Sequence, residues 1–320
     1  MTISQPGGAG VPCRIGERGR RAVPPVRRIL AVAVCLLAMQ AAFGETSWGT
    51  SIVGVRTPDA VVIAADSLLT IRGGEKPVTE KACKIFRAGS AFFALTGFYR
   101  DPVRDFDISR LLPGLIDPRL PLVAAAGAAS GGISQALHHE LVRLRGEAPG
   151  AFGRYFHDTG KNIVRILFVG YENDQPVSLL QTYRYAVTPS GDIAVSSESV
   201  ACPGGCDATT ATFFFLTDRK PIDAYLATGD VGSMSPEEAA RFFVDLVVRA
   251  RTPDTGPPID VVRIDMNGPV WITRKAECPD LGVPGERVRT QRQPAGSSAV
   301  ETGTPRRTVA HPPDSGRQVL

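Results

Sequence analysis

The order of the predicted secondary structure favours a layered α+β domain. Strands come first, two helices follow, and further strands, one or two helices and a closing strand pair complete the order. The first strands are almost continuously apolar, which is typical of strands covered on both faces of a sheet. Strands and helices that occur in separate runs are the pattern of layered α+β folds.

The strands are predicted from short runs of β-branched and aromatic residues between turn signals. In chain order they are 51–55, 60–65, 84–86, 91–95, 162–171, 177–186, 193–200, 259–264 and 270–273. Residues 68–79 contain Gly73, Gly74 and Pro77 and are predicted to form a loop. The aromatic run 209–216 does not distinguish a strand from a helix.

Three helices are predicted. The first spans 102–112 and ends before Pro113, and the second spans 123–145, where apolar residues recur every three to four positions. The third begins at Ser235, with Pro236 at the first helical position and Glu238 completing a capping box, and runs to about Arg251.

The segment Gly49-Thr50-Ser51 stands directly before the first strand, and Ala64-Ala65-Asp66-Ser67 ends the second. A threonine can act as a nucleophile without a histidine when it is the first residue of the mature chain, because its own α-amine accepts the hydroxyl proton. The α-amine has a pKa near ~8, so a useful fraction is neutral base at working pH. This segment therefore predicts an N-terminal nucleophile.

Residues 50–101 resemble the proteasome β-subunit and HslV branch of the N-terminal-nucleophile (Ntn) hydrolases. Asp66 follows Thr50 by sixteen residues, which is the interval of the family aspartate. Lys84, before a β-branched residue, matches the family lysine two residues later than usual; Lys81 stands one residue early and lacks the apolar strand behind it. Leu95-Thr96-Gly97 matches the family's oxyanion turn, and Asp101 matches the aspartate that opens its first helix.

The resemblance implies a four-layer α-β-β-α sandwich and a set of roles. Thr50 would be the nucleophile, Lys84 would supply positive charge beside it, and Asp66 would hold Lys84 by an ion pair. The backbone N–H of Gly97 would receive the oxyanion. Gly49 would be the residue removed at processing, since a glycine leaves its carbonyl open to attack.

One element departs from the family pattern. An Asp-x-x-Ser-Gly segment normally supports the nucleophile late in the chain, and here the corresponding residues are Thr252-Pro253-Asp254-Thr255-Gly256. Thr255 stands where the family has serine, whereas Thr252 stands where it has aspartate. Asp254 is the carboxylate available from a shifted position, so Thr255 and Asp254 are predicted as supporting residues.

The two ends of the chain are predicted to lie outside the folded domain. Residues 1–44 have a basic flank, an apolar run at 29–39 that is too short to span a bilayer, and small residues after it, as in a signal peptide. Cleavage after Gly44 or after Gly49 satisfies the small-residue rule. The second exposes Thr50 directly, whereas the first leaves 45–49 as a short propeptide that Thr50 would remove by attack on the preceding carbonyl, so both give the same mature terminus. The Ntn domain is predicted over 50–280, and residues 281–320 lack the apolar groups needed to fold.

Export would place the remaining cysteines in an oxidising compartment. Cys202-Pro-Gly-Gly-Cys206 is predicted as a local disulfide. Cys83 is interpreted as a buried free thiol. No cofactor or metal is predicted, because the cysteines lack further soft ligands and the adjacent His138 and His139 diverge on a helix.

Composition limits the partners. A net charge of +4 over 320 residues gives no reason to expect nucleic acid. The predicted partner is a peptide or amide substrate, with no stable membrane anchor after signal cleavage, and the resemblance leaves a homo-oligomer open. Three functions remain: an exported threonine-type peptidase, an amidase or acylase on small amides, and a non-catalytic binding module with the same fold.

Overall fold

The computed structural model describes residues 46–48, 50–72, 78–156, 160–250 and 254–278. The predicted signal segment, Gly49, Thr252 and the predicted tail lie outside the described residues. The strands are β1 (Thr46–Trp48), β2 (Ile52–Arg56), β3 (Ala60–Ala65), β4 (Leu68–Arg72), β5 (Val78–Lys81), β6 (Ile85–Ala88), β7 (Ala91–Gly97), β8 (Arg100–Asp101), β9 (Phe106–Asp107), β10 (Asn162–Glu172), β11 (Gln175–Val187), β12 (Ile193–Cys202), β13 (Thr212–Leu216), β14 (Asp260–Asp265) and β15 (Gly268–Thr273). The α-helices are α1 (Ile108–Leu115), α2 (Leu122–Glu147), α3 (Pro149–Tyr155), α4 (Lys220–Leu226) and α5 (Pro236–Arg249).

Two five-stranded antiparallel sheets form most of the structure. One has the strand order β13-β2-β3-β14-β15, and the other has the order β12-β11-β10-β7-β6. Smaller sheets have the orders β1-β4-β5 and β8-β9. Antiparallel sheets combined with helices in separate runs confirm the α+β class. The aromatic run that the sequence left open is an edge strand, since β13 pairs only with β2 among the described strands.

The apolar strands are buried because they contribute to two hydrophobic clusters at once. Val61 and Ile63 of β3 lie in a cluster shared by both five-stranded sheets, whereas Val62 and Ala64 lie in a cluster with α4 and α5. A third cluster joins the sheet of β7, β10 and β11 to α1, α2 and α3. Successive side chains of a strand point to opposite faces, so a strand covered on both faces must be apolar throughout.

The predicted loop over residues 68–79 is wrong. Residues 68–72 form β4 and residues 78–81 form β5, and these strands pair with each other through Leu68–Lys81 and Ile71–Val78. The turn signals Gly73, Gly74 and Pro77 lie between the strands, outside the described residues. β1 pairs with the other edge of β4, so β4 is the central strand of its sheet.

The predicted first helix is also misplaced. Pro102–Arg104 is a short 3-10 turn, and α1 begins later, where the Asp107 carboxylate caps the helix by accepting from the Ser109 N–H at 2.9 Å. Asp101 therefore does not open the helix. α1 continues through Pro113, since Ile108 and Leu112 are buried and their packing outweighs the cost of a helical proline. The other two predicted helices are present as α2 and α5, and the capping box of Ser235 and Glu238 is confirmed.

Two disulfides connect the four described cysteines. Cys202 and Cys206 are bonded to each other, as the sequence predicted. The interpretation of Cys83 as a free thiol is wrong, because Cys83 is bonded to Cys278, 195 residues later in the chain. A partner so far away leaves no local spacing by which the pairing could be recognised. This bond ties the segment after β15 to the segment before β6.

The two disulfides should differ in their effect on stability. A chain-entropy model gives about 5 kcal/mol for a closed loop as long as that of Cys83–Cys278 and about 2 kcal/mol for the short loop of Cys202–Cys206. Each variant keeps its remaining disulfide oxidised. We expect Cys83→Ser/Cys278→Ser to lower the free energy of unfolding, measured in urea, by more than Cys202→Ser/Cys206→Ser does. Equal losses would contradict this order.

Candidate active site

Three predicted site residues stand at strand ends that meet. Thr50 precedes β2, Asp66 follows β3 and Lys84 precedes β6. Because Ile52 pairs with Ala65, the residue after Thr50 lies opposite Asp66. Ser51 and Asp66 are joined by a backbone hydrogen bond, in which the Asp66 N–H donates to the carbonyl oxygen of Ser51 at 3.0 Å. The sixteen-residue interval is thus the length of one hairpin.

The carboxylate of Asp66 is fully buried and accepts four hydrogen bonds. Oδ1 accepts from the Ser51 N–H at 2.7 Å and from the Lys84 ammonium at 2.7 Å. Oδ2 accepts from the N–H of Leu68 at 3.1 Å and from the N–H of Gly256 at 3.0 Å. Four donors compensate for the loss of water around a buried carboxylate.

Lys84 is buried as deeply as its partner. Its side chain is 0% exposed, and its Nζ donates to Asp66 and to the Leu68 carbonyl oxygen at 2.6 Å. Burial lowers the pKa of the Lys84 ammonium, and the contact with Asp66 opposes this shift without cancelling it. Lys81 is exposed at the end of β5, so the structure places Lys84, and not Lys81, beside Asp66. Because its side chain is buried, Lys84 does not act as a solvent-exposed charge that protects a sheet edge.

Gly97 ends β7 in a conformation that requires glycine. Its φ is +95°, and a Cβ at this position would lie 2.1 Å from the carbonyl oxygen of Ile163. The next residue, Phe98, donates its N–H to that same oxygen at 2.7 Å. The backbone at this predicted oxyanion turn is therefore fixed against β10.

The late segment reaches the site through its backbone. The Gly256 N–H binds Asp66, and the Gly256 carbonyl oxygen accepts from the Ser67 N–H at 2.9 Å. Thr255 and Asp254 are partly buried beside it, and Asp254 raises the pKa of Lys84 through its charge. The segment thus contacts the Asp66 carboxylate through the backbone of Gly256.

Sequence reasoning missed a second buried ion pair. Lys275 Nζ lies 2.6 Å from Oδ2 of Asp260, and the two side chains are 2% and 3% exposed. The same Nζ donates to Ser67 Oγ at 2.6 Å, next to Asp66 in the chain. Only Ser67 belonged to a recognised motif. Asp260 begins β14 and Lys275 follows β15, and no spacing or periodicity marks either residue.

The described residues offer no metal site. They contain no group of three or more His, Cys, Asp or Glu side chains able to hold an ion. His138 and His139 have ring centroids 5.8 Å apart on α2 and lie on a helix remote in sequence from the strand ends. No described helix is long and apolar enough to cross a membrane.

Comparisons with known proteins find similarity among solved structures. No family model matches the chain, and no curated protein matches it. Among solved structures, the chain is similar to the Anbu (Gly-1) mutant from Hyphomicrobium sp. strain MC1, with a TM-score of 0.41 and 17% sequence identity. That match covers 71% of this chain and 86% of the other.

Breaking the central ion pair should be costly. Asp66→Asn removes the carboxylate that pairs with the buried Lys84 ammonium, and losses of about 3–5 kcal/mol are typical of such changes. Glu198→Gln is a matched control, because Glu198 pairs with Arg184 on the surface and exposed pairs contribute less than about 1 kcal/mol. Urea unfolding of both variants measures the difference; similar losses would show that the Asp66 contact has little energetic weight.

Gly97 and Gly127 should respond to alanine in opposite directions. Gly97→Ala meets the Ile163 oxygen and a disfavoured φ, so we expect unfolding free energy to fall by at least about 1–3 kcal/mol. Gly127 lies exposed within α2, and a Cβ added there would meet no neighbouring atom within 4 Å, so Gly127→Ala should gain about 0.5–1 kcal/mol. Thermal and urea unfolding test both signs, and a Gly97→Ala variant as stable as the parent would contradict the geometry.

Proposed function

We propose that this chain is an N-terminal-threonine hydrolase that cleaves peptide or amide bonds through an acyl-enzyme. The observation that carries the proposal is the Asp66 carboxylate, whose Oδ1 joins the N–H of Ser51 to the ammonium of Lys84. One oxygen thereby fixes a buried cation next to the residue that follows Thr50. Thr50 itself is 5% exposed at this point.

The proposal includes the four-layer α-β-β-α sandwich of the Ntn hydrolases. Three hydrophobic clusters support it: one between helices and a sheet, one shared by the two five-stranded sheets, and one between the other sheet and helices. In this arrangement Thr50, Asp66 and Lys84 all stand at ends of strands that belong to the two central layers.

Maturation comes first in the proposed mechanism. Thr50 Oγ attacks the carbonyl carbon of Gly49, the C–N bond breaks, and the acyl group moves to Oγ as an ester while the α-amine is released. Water then hydrolyses the ester, which frees the hydroxyl. Alternatively, a signal peptidase cleaves after Gly49 and gives the same terminus.

The mature residue then carries both reacting groups. Thr50 Oγ attacks the substrate carbonyl and its proton passes to the Thr50 amine, directly or through a water. The amine returns the proton to the leaving nitrogen as the C–N bond breaks, and an ester remains. Water hydrolyses that ester to a carboxylic acid and regenerates Thr50.

Lys84 and Gly97 serve the charges that develop in this reaction. The Lys84 cation favours the deprotonated hydroxyl and holds the pKa of the nearby amine down. The Gly97 N–H is the proposed oxyanion donor, and losing such a donor typically costs about 3–4 kcal/mol of barrier. Thr255 and Asp254 are proposed as supporting residues, on the basis that their neighbour Gly256 contacts Asp66.

The pairing of β1 favours a peptide over a small amide as substrate. Residues 46–48, immediately upstream of the proposed cleavage point, form an antiparallel strand on β4 with Trp48 opposite Thr70. Removal of the residues before Thr50 would expose that edge of β4. An exposed strand edge binds extended peptide backbone through main-chain hydrogen bonds.

Export to the periplasm or the medium completes the proposal. The apolar run with its basic flank supports a signal peptide over 1–44, or over 1–49 with a short propeptide. The two disulfides among the described residues fit an oxidising compartment.

The test is the N-terminal sequence and intact mass of the purified protein, followed by labelling with a peptide epoxyketone. The ketone carbon of this probe reacts with a hydroxyl and its epoxide carbon with an amine of the same residue. We expect a chain that begins at Thr50, one covalent adduct on that residue, and peptide hydrolysis. Thr50→Ala should lose the adduct and at least about 10³-fold in rate, whereas Thr50→Ser keeps both groups and should retain both signals.

Three outcomes would redirect the assignment. A mature chain that begins upstream of Thr50 leaves the amine in a peptide bond and favours a non-catalytic binding module. Adduct formation with hydrolysis of small amides but not of peptides favours an amidase or acylase. Hydrolysis that persists in Thr50→Ala would overturn the nucleophile.

A further inference from the structure

A second lysine, Lys275, is buried behind the proposed site with all three ammonium protons accounted for. Its Nζ lies 2.6 Å from Asp260 Oδ2, and it donates to Ser67 Oγ at 2.6 Å and to the Ala82 carbonyl oxygen at 2.8 Å. Its backbone N–H also donates to Oδ1 of Asp260 at 2.9 Å. The head group is thus held in one place by bonds from three chain segments.

Two of those bonds reach the segments that carry the proposed catalytic charges. Ser67 directly follows Asp66, and Ala82 lies two residues before Lys84. Ala82 and Ser67 are also bonded to each other, since the Ala82 N–H donates to the Ser67 carbonyl oxygen at 2.9 Å. Lys275 therefore connects the side chain of the residue after Asp66 to the backbone two residues before Lys84.

Further contacts hold Lys275 in that position. Cys278, three residues later, is bonded to Cys83, the neighbour of Lys84. Ser67 Oγ in turn donates to the carbonyl oxygen of Pro258. The segment after β15 is thus tied by a covalent bond and by hydrogen bonds to the site.

Stability alone does not account for this arrangement. A buried ion pair rarely stabilises a fold more than apolar side chains of the same size would, because both ions lose their hydration. Two such pairs side by side also bring two like charges close together. Buried, interacting charges are one means by which active sites set the protonation states of their residues.

We propose that Lys275 is a positioning residue of the active site, which fixes Asp66 and Lys84 through Ser67 and Ala82 and adds a second positive charge behind Lys84. The inference rests on the proposed function, since Lys275 acts on a residue of that mechanism. Lys275 contacts neither Thr50 nor a substrate in this role.

The charge of Lys275 has a definite sign of effect. Burial lowers the pKa of Lys84. Among the charged groups around it, Asp66 and Asp254 raise that pKa and Lys275 lowers it. Removing the Lys275 charge should therefore raise the pKa of Lys84. A weaker positive field should also raise the pKa of the Thr50 amine, which must be neutral to act as a base.

The experiment compares four variants with the parent protein. Lys275→Met removes the charge, Lys275→Arg keeps it, and Lys275→Met/Asp260→Asn removes both charges so that no buried ion is left unpaired. Lys220→Met removes a positive charge from an exposed side chain on α4 and is the control. For each, kcat and KM are measured against pH, together with the rate of epoxyketone adduct formation and the melting temperature.

We expect the double variant to lose about tenfold in kcat while KM changes little, since Lys275 positions groups that act in the transition state. Both limbs of the Lys275→Met pH profile should move to higher pH by about half a unit or more, because the pKa values of Lys84 and of the Thr50 amine both rise. The double variant, which also loses the negative charge of Asp260, should move in the same direction by less. Lys275→Arg should keep the limbs near their original positions, and Lys220→Met should match the parent throughout.

Several outcomes would overturn the proposal. A profile that keeps both limbs in place while kcat falls in step with the melting temperature indicates a purely structural role. A double variant with the parent's kcat overturns it as well. If the parent itself forms no adduct at Thr50, the proposed function fails and this inference fails with it. If all variants form the adduct at the same rate and with the same pH dependence, only the role of Lys275 is removed.

Discussion

The structure around the proposed site depends on one carboxylate. Asp66 receives hydrogen bonds from the start of β2, the start of β4, the late segment at Gly256 and the side chain of Lys84. Three of these donors lie within eighteen residues of Asp66 and the fourth, Gly256, lies 190 residues later, yet all four meet on two oxygen atoms. A buried carboxylate must have such partners, because its desolvation would otherwise cost several kcal/mol. The requirement for partners at Asp66 therefore fixes where the strand ends lie.

The same requirement extends outward to the second ion pair. Lys84 could not remain charged in an apolar core without Asp66, and Lys275 could not without Asp260. Ser67 lies between the two pairs, with its side chain bonded to Lys275 and its backbone bonded to Gly256. Networks in which every polar group is satisfied are rigid, and a partly satisfied one would be unstable. The two pairs are best understood as one unit with a fixed geometry.

The part of the site that the sequence predicts is the part held by local pairing. Thr50, Asp66 and Lys84 flank β2, β3 and β6 within 35 residues of the chain, so short-range spacing carries their relation. Asp260 and Lys275 contact this unit across roughly two hundred residues, and no local pattern records such a contact. The bond of Cys83 to Cys278 was missed for the same reason. The class of fold, α2 and α5 were predictable because periodicity and capping are local. α1 was misplaced at its start, which Asp107 caps, and at its end, where buried packing outweighed the proline signal.

The precursor strand β1 gives the proposed mechanism a built-in order of events. While the chain before Thr50 is intact, its amine is part of a peptide bond and cannot accept a proton. The same upstream residues cover one edge of β4. The covalent link holds this strand at a high effective concentration, so three residues suffice to keep it paired. Once the link is cut, a strand of that length has too few contacts to stay bound. One cleavage would therefore both create the base and open the edge of β4 to a substrate.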